Sequence, residues 1–488
     1  MVTRFIFSIS TVFSSLFLLT ACDHPTATTA NSRPPNLFYQ AENQYQHPTA
    51  TTANSRPQPL PQDSSIQVYF NQNNAQKINY TDPYRKISRS GDNLEQIIID
   101  TIQTATTSID IAVQEFRLPN LAQELAALQK KGIKVRVILE NQYRRPLSQL
   151  NVNEINQLNE RDRKSYQDYF ALMDQNKDQK ISSQEINQND ALIILKNAGI
   201  SIIDDTADSS KGTGLMHHKF IIIDKQMVIV TSANFTLSDT IGDFTNYQSR
   251  GNANHLIKIK SSEIAKVFTQ EFNLMWQNHQ FGVDKSYRPP SQIQLGQTNL
   301  TVKFSPNSSK IVWPLTSNGL IEKTLDTATK SVDLALFVFS EQNLANTLEK
   351  RHQQNVKIRA LIEPNFAFLN YSEALDMLGV AILNKCRSEK NNNPWKNPIN
   401  TVGIPQLPLG DKLHHKFAVI DSQTVITGSH NWSASANYQN DETLLIIQNP
   451  MIAAHFKKEF ERLYQNASLG VPKFIQDKIK QDNKKCQK

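Results

Sequence analysis

Two histidines, two lysines, two aspartates, two serines and two asparagines recur at matched positions in this 488-residue chain. MHHKFIIIDKQMVIVTSANFT runs from Met216 to Thr236, and LHHKFAVIDSQTVITGSHNWS runs from Leu413 to Ser433. A strand that served only as scaffold would repeat its apolar character. It would not repeat His217, Lys219, Asp224, Ser232 and Asn234 as His414, Lys416, Asp421, Ser429 and Asn431. Alternate residues of a strand face the same way, so His217 shares a face with Lys219 and His414 with Lys416, while His218, Asp224, His415 and Asp421 turn to the other face. Lysine ammonium, serine hydroxyl and asparagine amide are all donors to anionic oxygens, the set a phosphate needs. Histidine attacks phosphorus or moves a proton near neutral pH. Displacement at a phosphodiester needs a nucleophile on one side of phosphorus and an acid on the leaving oxygen opposite. Two copies that meet at one site would supply both.

The elements that must position these residues are repeated too. Ser108 to Glu140, SIDIAVQEFRLPNLAQELAALQKKGIKVRVILE, matches Ser331 to Glu363, SVDLALFVFSEQNLANTLEKRHQQNVKIRALIE, at an offset of 223 residues. Each block reads as strand, helix, strand: an apolar run, then Leu and Ala at helical spacing, then KVRVIL or KIRALI. A parallel sheet with crossover helices is the natural solution, and each half adds a further strand at its His-Lys segment, with a turn at Thr231-Ser232 or Gly428-Ser429. The expected fold is α/β, two sandwich halves, with a first half over 66–290 and a second over 291–470.

The pattern HxKxxxxD followed by GSxN, present twice, resembles the phospholipase D superfamily over about residues 85 to 465. The resemblance implies two pseudo-twofold-related α/β halves with one active site at their interface, and a covalent phosphohistidine intermediate that needs no cofactor. It makes His217 the nucleophile and His414 the acid. Lys219, Lys416, Asn234 and Asn431 then bind phosphate oxygens, helped by Ser232 and Ser429, while Asp224 and Asp421 hold the motif in place. Glu442 in NDETLLII matches the family carboxylate that orients a motif histidine, whereas the corresponding first-half segment NANHLIKI offers only Asn254. An amide stabilises imidazolium less than a carboxylate does, so the two histidines should differ in basicity. Thr231 also stands where the family has glycine.

The offset between the halves falls to 197 residues at the His-Lys segments, so the first half carries 26 extra residues before its motif. Within that stretch, at about 145–192, DQNKDQKISSQE has the spacing of an EF-hand loop. Asp174, Asn176, Asp178, Lys180, Ser182 and Glu185 are the candidate calcium residues, with Ile181 at the apolar position. The departure is Gln179 where glycine would make the sharp turn. A left-handed conformation there costs on the order of 1 kcal/mol. The alternative is a polar turn joining two helices.

Length allows a sizeable core and more than one domain. The 52 Lys and Arg against 45 Asp and Glu give +7 and a pI near 9.0, compatible with phosphate-bearing partners but too mild to choose nucleic acid or an anionic membrane. Three cysteines, Cys22, Cys386 and Cys486, exclude a disulfide scaffold; a Cys386–Cys486 bridge stays open, with Cys486 in a polar tail (471–488) that reads as frayed. Residues 1–22 read as a signal peptide: Arg4, an apolar run from Phe5 to Leu19, then LTAC, which resembles a lipobox with Cys22 as the lipidated residue. An uncleaved anchor is the alternative. Residues 23–65, with HPTATTANSRP twice, read as a disordered linker. The expectation is thus an exported, membrane-anchored lipoprotein, monomeric, acting on phospholipid or, alternatively, as an endonuclease on DNA or RNA. The remaining alternatives are an inactive calcium-responsive binding protein and a phosphatidyl transferase as in cardiolipin synthesis.

Overall fold

The structure, a computed structural model, describes residues 60–72, 80–207, 212 and 214–486. The expected leader with Cys22 and both HPTATTANSRP tracts lie outside the described residues. Two large sheets form the body. The first runs in the order Ile66–Phe70, His255–Lys260, Met227–Thr231, Lys219–Ile223, Ser108–Val113, Lys134–Leu139, Ser201–Asp204. The second runs Ser291–Leu295, Thr298–Ser305, Glu442–Gln448, Thr424–Gly428, Lys416–Ile420, Ser331–Leu336, Lys357–Ile362, Val402–Ile404, Ser468–Leu469.

The repeated blocks fold alike. Ser108 pairs with Lys134 and Ser331 with Lys357, both parallel, each pair bridged by a crossover helix, Pro119–Lys130 or Gln342–Gln353. The first helix opens with Pro119, whose fixed φ and missing N–H suit a first turn, and it buries Leu121, Ala122, Leu125 and Leu128 along one stripe. The second buries Leu344, Ala345 and Leu348. The His-Lys strands depart from the expected parallel sheet. Each joins antiparallel, in the same register, with Val113 opposite Lys219 and Leu336 opposite Lys416. A sequence pattern of period two carries no strand direction, and a short turn after each motif lets the chain reverse.

One apolar core is common to the two halves. It draws Phe220 and Val230 from the first sheet, Phe304 and Phe417 from the second, and Phe268, Phe272, Phe456 and Phe460 from the helices Ser262–Trp276 and Pro450–Tyr464. The two halves also repeat a buried ion pair under this core. Arg136 meets Asp110 and Arg359 meets Asp333, each at 2.7 Å, and each guanidinium lies over an aromatic pair, Phe272 with Trp276 or Phe460 with Tyr464.

The stretch that carries the extra first-half residues folds into the helices Val152–Gln157, Glu160–Met173 and Ser183–Asn189 and runs into Ala191–Asn197. The tail differs from the frayed reading: Lys473–Cys486 is a helix, and Cys486 is disulfide-bonded to Cys386 across 100 residues. Trp395, in the loop the bridge holds, is buried and stacks on His352. No helix among the described residues is long and apolar enough to cross a membrane.

Candidate active site

The segment that leads into each His-Lys strand crosses to the other half. His217 N–H donates to Asp441 O at 3.0 Å, and His414 N–H donates to Ala253 O at 3.1 Å. Each motif histidine is therefore set beside residues of the opposite half. His217 Nδ1 lies 2.8 Å from the Glu442 carboxylate, and His414 Nδ1 lies 3.0 Å from Asn254 Oδ1. The orienting groups expected from sequence are in place, but they are exchanged between halves.

The hydrogen bonds fix both tautomers. A carboxylate only accepts, so His217 Nδ1 carries the proton. Asn254 Nδ2 donates to Asp239 O at 2.9 Å, which leaves its Oδ1 to accept from Ser232 Oγ at 2.7 Å and from His414 Nδ1. Neutral, both rings thus keep their lone pair on Nε2. Both imidazoles are held well below their ordinary pKa, first by burial and then by Lys219 and Lys416. A neutral His217 is the form a nucleophile needs.

The lysines are buried and symmetric. Lys219 Nζ donates to His217 O at 3.0 Å and to Gln114 Oε1 at 3.3 Å. Lys416 Nζ donates to His414 O at 2.7 Å and sits 4.8 Å from the Phe337 ring centre. Gln114 and Phe337 are the same position of the repeated block. Burial lowers Lys219 to about 8 and Lys416 well below its usual value. An anion between them would reverse that cost, since an opposite charge favours the ammonium.

The serines act one step back from where sequence placed them. Ser232 Oγ–H goes to Asn254, and Ser429 Oγ–H goes to Glu442 Oε2 at 2.6 Å, so each hydroxyl locks the group that orients the opposite histidine. Asn234 and Asn431 each keep a buried side-chain oxygen with no hydrogen-bond partner among the described residues, the same in both halves. At the turn after the strand, Gly428 has φ +132 and a Cβ there would meet Thr443 O at 2.1 Å. Thr231 replaces it without positive φ, and its hydroxyl donates to His255 O at 2.5 Å.

Asp224 and Asp421 stand at the far ends of the strands, in left-handed turns at φ +51 and +52. Asp224 accepts from Thr106 N and Oγ1, Thr107 N and Oγ1, and Ser108 N at 2.7–2.9 Å; Asp421 does the same for Thr329, Lys330 and Ser331. They pin the motif strand to the start of its neighbour. His218 and His415 face the core: His218 bonds Thr443 Oγ1 at 2.9 Å, and His415 bonds Glu459 at 3.0 Å and His255 Nδ1 at 3.1 Å.

Among the described residues one cluster has the make-up of a metal site, His218, Glu271 and Asp441. Its centre is taken by Lys285, whose Nζ lies 2.6 Å from Glu271 and 2.7 Å from Asp441, so the carboxylates are already neutralised. The EF-hand-like loop is separate. Lys177 and Gln179 adopt φ +59 and +65, as the sharp turn requires. Asp174 accepts from Asp178 N at 3.1 Å and Gln179 N at 3.0 Å, Asp178 from Lys180 N at 2.8 Å, and Glu185 from Gln175 N and Ser182 N, both at 2.9 Å. Asn176 Oδ1 also accepts from Asp178 N, at 2.9 Å.

Two residues near the histidines escaped the sequence reading. Glu363, the last residue of the repeated block, accepts from Leu413 N at 2.7 Å and so holds the approach to His414. Its signal was the block itself, which ends in Glu140 and Glu363. Asp239 left none, because its counterpart at the 197-residue offset is Ala436.

The chain matches the family model described as "Cardiolipin synthase, PLD-like domain" over residues 98–276 and 321–464. The mitochondrial cardiolipin hydrolase of Xenopus laevis is 29% identical over 153 residues, covering 31% of this chain and 62% of that protein. The human mitochondrial cardiolipin hydrolase is 29% identical over 143 residues, covering 29% of this chain and 49% of that protein. The chain thus spans about half the length of the curated relatives it matches. Phosphatidylserine synthase of Haemophilus influenzae has a TM-score of 0.52 at 12% identity, over 87% of this chain and 94% of that one, and shares the fold. With the model matched in both halves, each carrying one of the crossed histidines, the protein belongs to the phospholipase D-like family.

Proposed function

We propose that this protein is an exported phospholipase D-type phosphodiesterase that hydrolyses phospholipid headgroup esters through a phosphohistidine on His217. The observation that carries the reading is the crossed pair, His217 on Glu442 and His414 on Asn254, in one site with both lysines. His217 Nε2 attacks phosphorus while its Nδ1–H is held by Glu442, so the positive charge that grows on the ring meets a carboxylate. His414, protonated on Nε2, gives that proton to the leaving alcohol oxygen. It then takes a proton from water, the hydroxide forms the new P–O bond, and the P–N bond breaks to return His217. Lys219 and Lys416 offset the charge on the phosphate oxygens, and the chemical step calls for no cofactor. A carboxylate in hydrogen-bond contact with His217 and an amide in hydrogen-bond contact with His414 suit nucleophile and acid respectively, since a less stabilised imidazolium gives up its proton more readily.

The phospholipid preference draws support from the cardiolipin hydrolases it resembles and from the proposed lipid anchor at Cys22, which would keep the enzyme at a bilayer. The Cys386–Cys486 bridge suits an oxidising compartment outside the cytoplasm. One chain carries both histidines, so the site is complete in a monomer. The EF-hand-like loop is read as a calcium site that shapes the protein and takes no part in the chemistry.

The test is headgroup release from cardiolipin and phosphatidylcholine vesicles beside cleavage of plasmid DNA. Wild type should act on the lipids, with His217→Ala and His414→Ala each reduced by roughly a thousandfold or more. DNA cleavage without lipid hydrolysis would make it a nuclease, and no turnover of either would make it a binding protein. Phosphorus trapped on His414 would reverse the two roles.

A further inference from the structure

The two orienting groups are unequal, and the structure holds a second carboxylate on the poorer side. Asp239 is buried in the short helix Leu237–Thr240 of the first half, and its Oδ1 lies 3.8 Å from His414 Nδ1. It is fixed from several directions. Oδ2 accepts from Asn234 N at 2.8 Å, Oδ1 accepts from Asn252 Nδ2 at 2.5 Å, and the backbone carbonyl accepts from Asn254 Nδ2 at 2.9 Å. Asn252 in turn accepts from Lys412 N at 2.8 Å, two residues before His414. The matching helix of the second half, Ala434–Tyr438, has Ala436 at this position, and that half has Glu442 on its strand instead. Each half therefore sends one carboxylate toward the opposite histidine, from the strand in one case and from the helix in the other.

We propose that Asp239 is the positioning residue for His414. Its carbonyl orients the Asn254 amide so that His414 Nδ1–H has an acceptor, and its carboxylate supplies the negative charge that Asn254 lacks. This rests on the reading of His414 as the acid. The charges around His414 make the need plain. Lys416 on its own strand, Lys412 just before it, and Lys219 and His217 from the facing strand all oppose a protonated ring. Around Lys416, two residues on, the carboxylates are Asp239, Glu442 and Glu363, the last of which accepts from Leu413 N beside His414. Of these, Asp239 is the one within 4 Å of the ring. A carboxylate at that distance keeps the acid loaded at a pH where the three lysines would otherwise strip it, because an opposite charge within about 4–6 Å favours the charged form.

The test compares an alkyl phosphodiester, whose leaving group needs the acid, with a p-nitrophenyl phosphodiester, whose leaving group does not. Asp239→Asn should lower kcat for the alkyl ester about tenfold and for the aryl ester within about threefold, and move the alkaline limb of the alkyl-ester pH profile about one unit toward acid. Adding Asn254→Asp in the same chain, which returns a carboxylate to the neighbourhood, should move the limb back. A structural role alone would depress both substrates alike, leave the limb in place and show no rescue; any of these would overturn the inference. His414→Ala is the control. In the first turnover, before His414 is needed as base, it should release p-nitrophenol but not the alkyl alcohol; if it spares neither leaving group there, His414 is not the acid and the functional reading falls, and if it shows the selectivity and Asp239→Asn does not, only the inference falls.

Discussion

Glu442 does two things with one carboxylate: it accepts from Ser429 and from His217 Nδ1, while burial raises its pKa. Replacing it with glutamine keeps the shape but removes the charge that meets the proposed phosphohistidine ring, and it lets the amide turn a donor toward Nδ1. Glu442→Gln should therefore lower kcat by roughly a hundredfold to ten-thousandfold with little change in KM, read from steady-state kinetics on a soluble phosphodiester. Unchanged kcat would remove Glu442 from the mechanism. At this scale the sequence was most legible where chemistry had been copied. The histidines, lysines and asparagines announce themselves by recurring and Glu442 by its match to the family carboxylate, and the crossed partners do not, because spacing along one chain says nothing about which half a strand end will meet. Asp239 was hidden for the opposite reason: it is a feature of one half only.

The strand-helix-strand blocks were legible because burial on one face imposes a period, and the antiparallel entry of the His-Lys strands was not, because period alone has no direction. Asp224 and Asp421 each gather the N–H groups at the start of the adjacent strand and so tie two elements at one point. The inserted helices meet the first half through Leu172 in its apolar core, through Lys164 on Asp243 at 3.6 Å, and through Asp168. Asp168, on helix Glu160–Met173, accepts from Phe244 N at 2.8 Å and Thr245 N at 2.6 Å, in the loop that follows Asp239. That helix ends at Asp174, the first residue of the EF-hand-like loop. Calcium should bind the loop at affinities near millimolar, as extracellular modules commonly do, and Glu185→Gln should abolish the heat of titration. Chelator should lower the thermal midpoint of wild type and leave that of Glu185→Gln unchanged, while hydrolysis of a small phosphodiester continues. Loss of small-substrate turnover on chelation would place the metal in the chemistry.

At the scale of the molecule, the shared core makes the halves one folding body, and the Cys386–Cys486 bridge adds the C-terminal helix to it. Of that helix only Ile475 is buried, so little else holds it. Reduction, or Cys486→Ser, should expose the chain beyond residue 472 to limited proteolysis and lower stability by up to about 5 kcal/mol, the scale for a closed loop of this length, with activity kept; protection unchanged by reductant would mean the helix docks unaided. The crossed histidines carry a different consequence. If one half were freed and paired with its own copy, two first halves would set Asn254 against both His217 rings, and two second halves would set Glu442 against both His414 rings. Neither homodimer rebuilds the mixed pair. The two repeats are unequal partners, and cutting the chain between them would leave each without the orienting group that the other supplies.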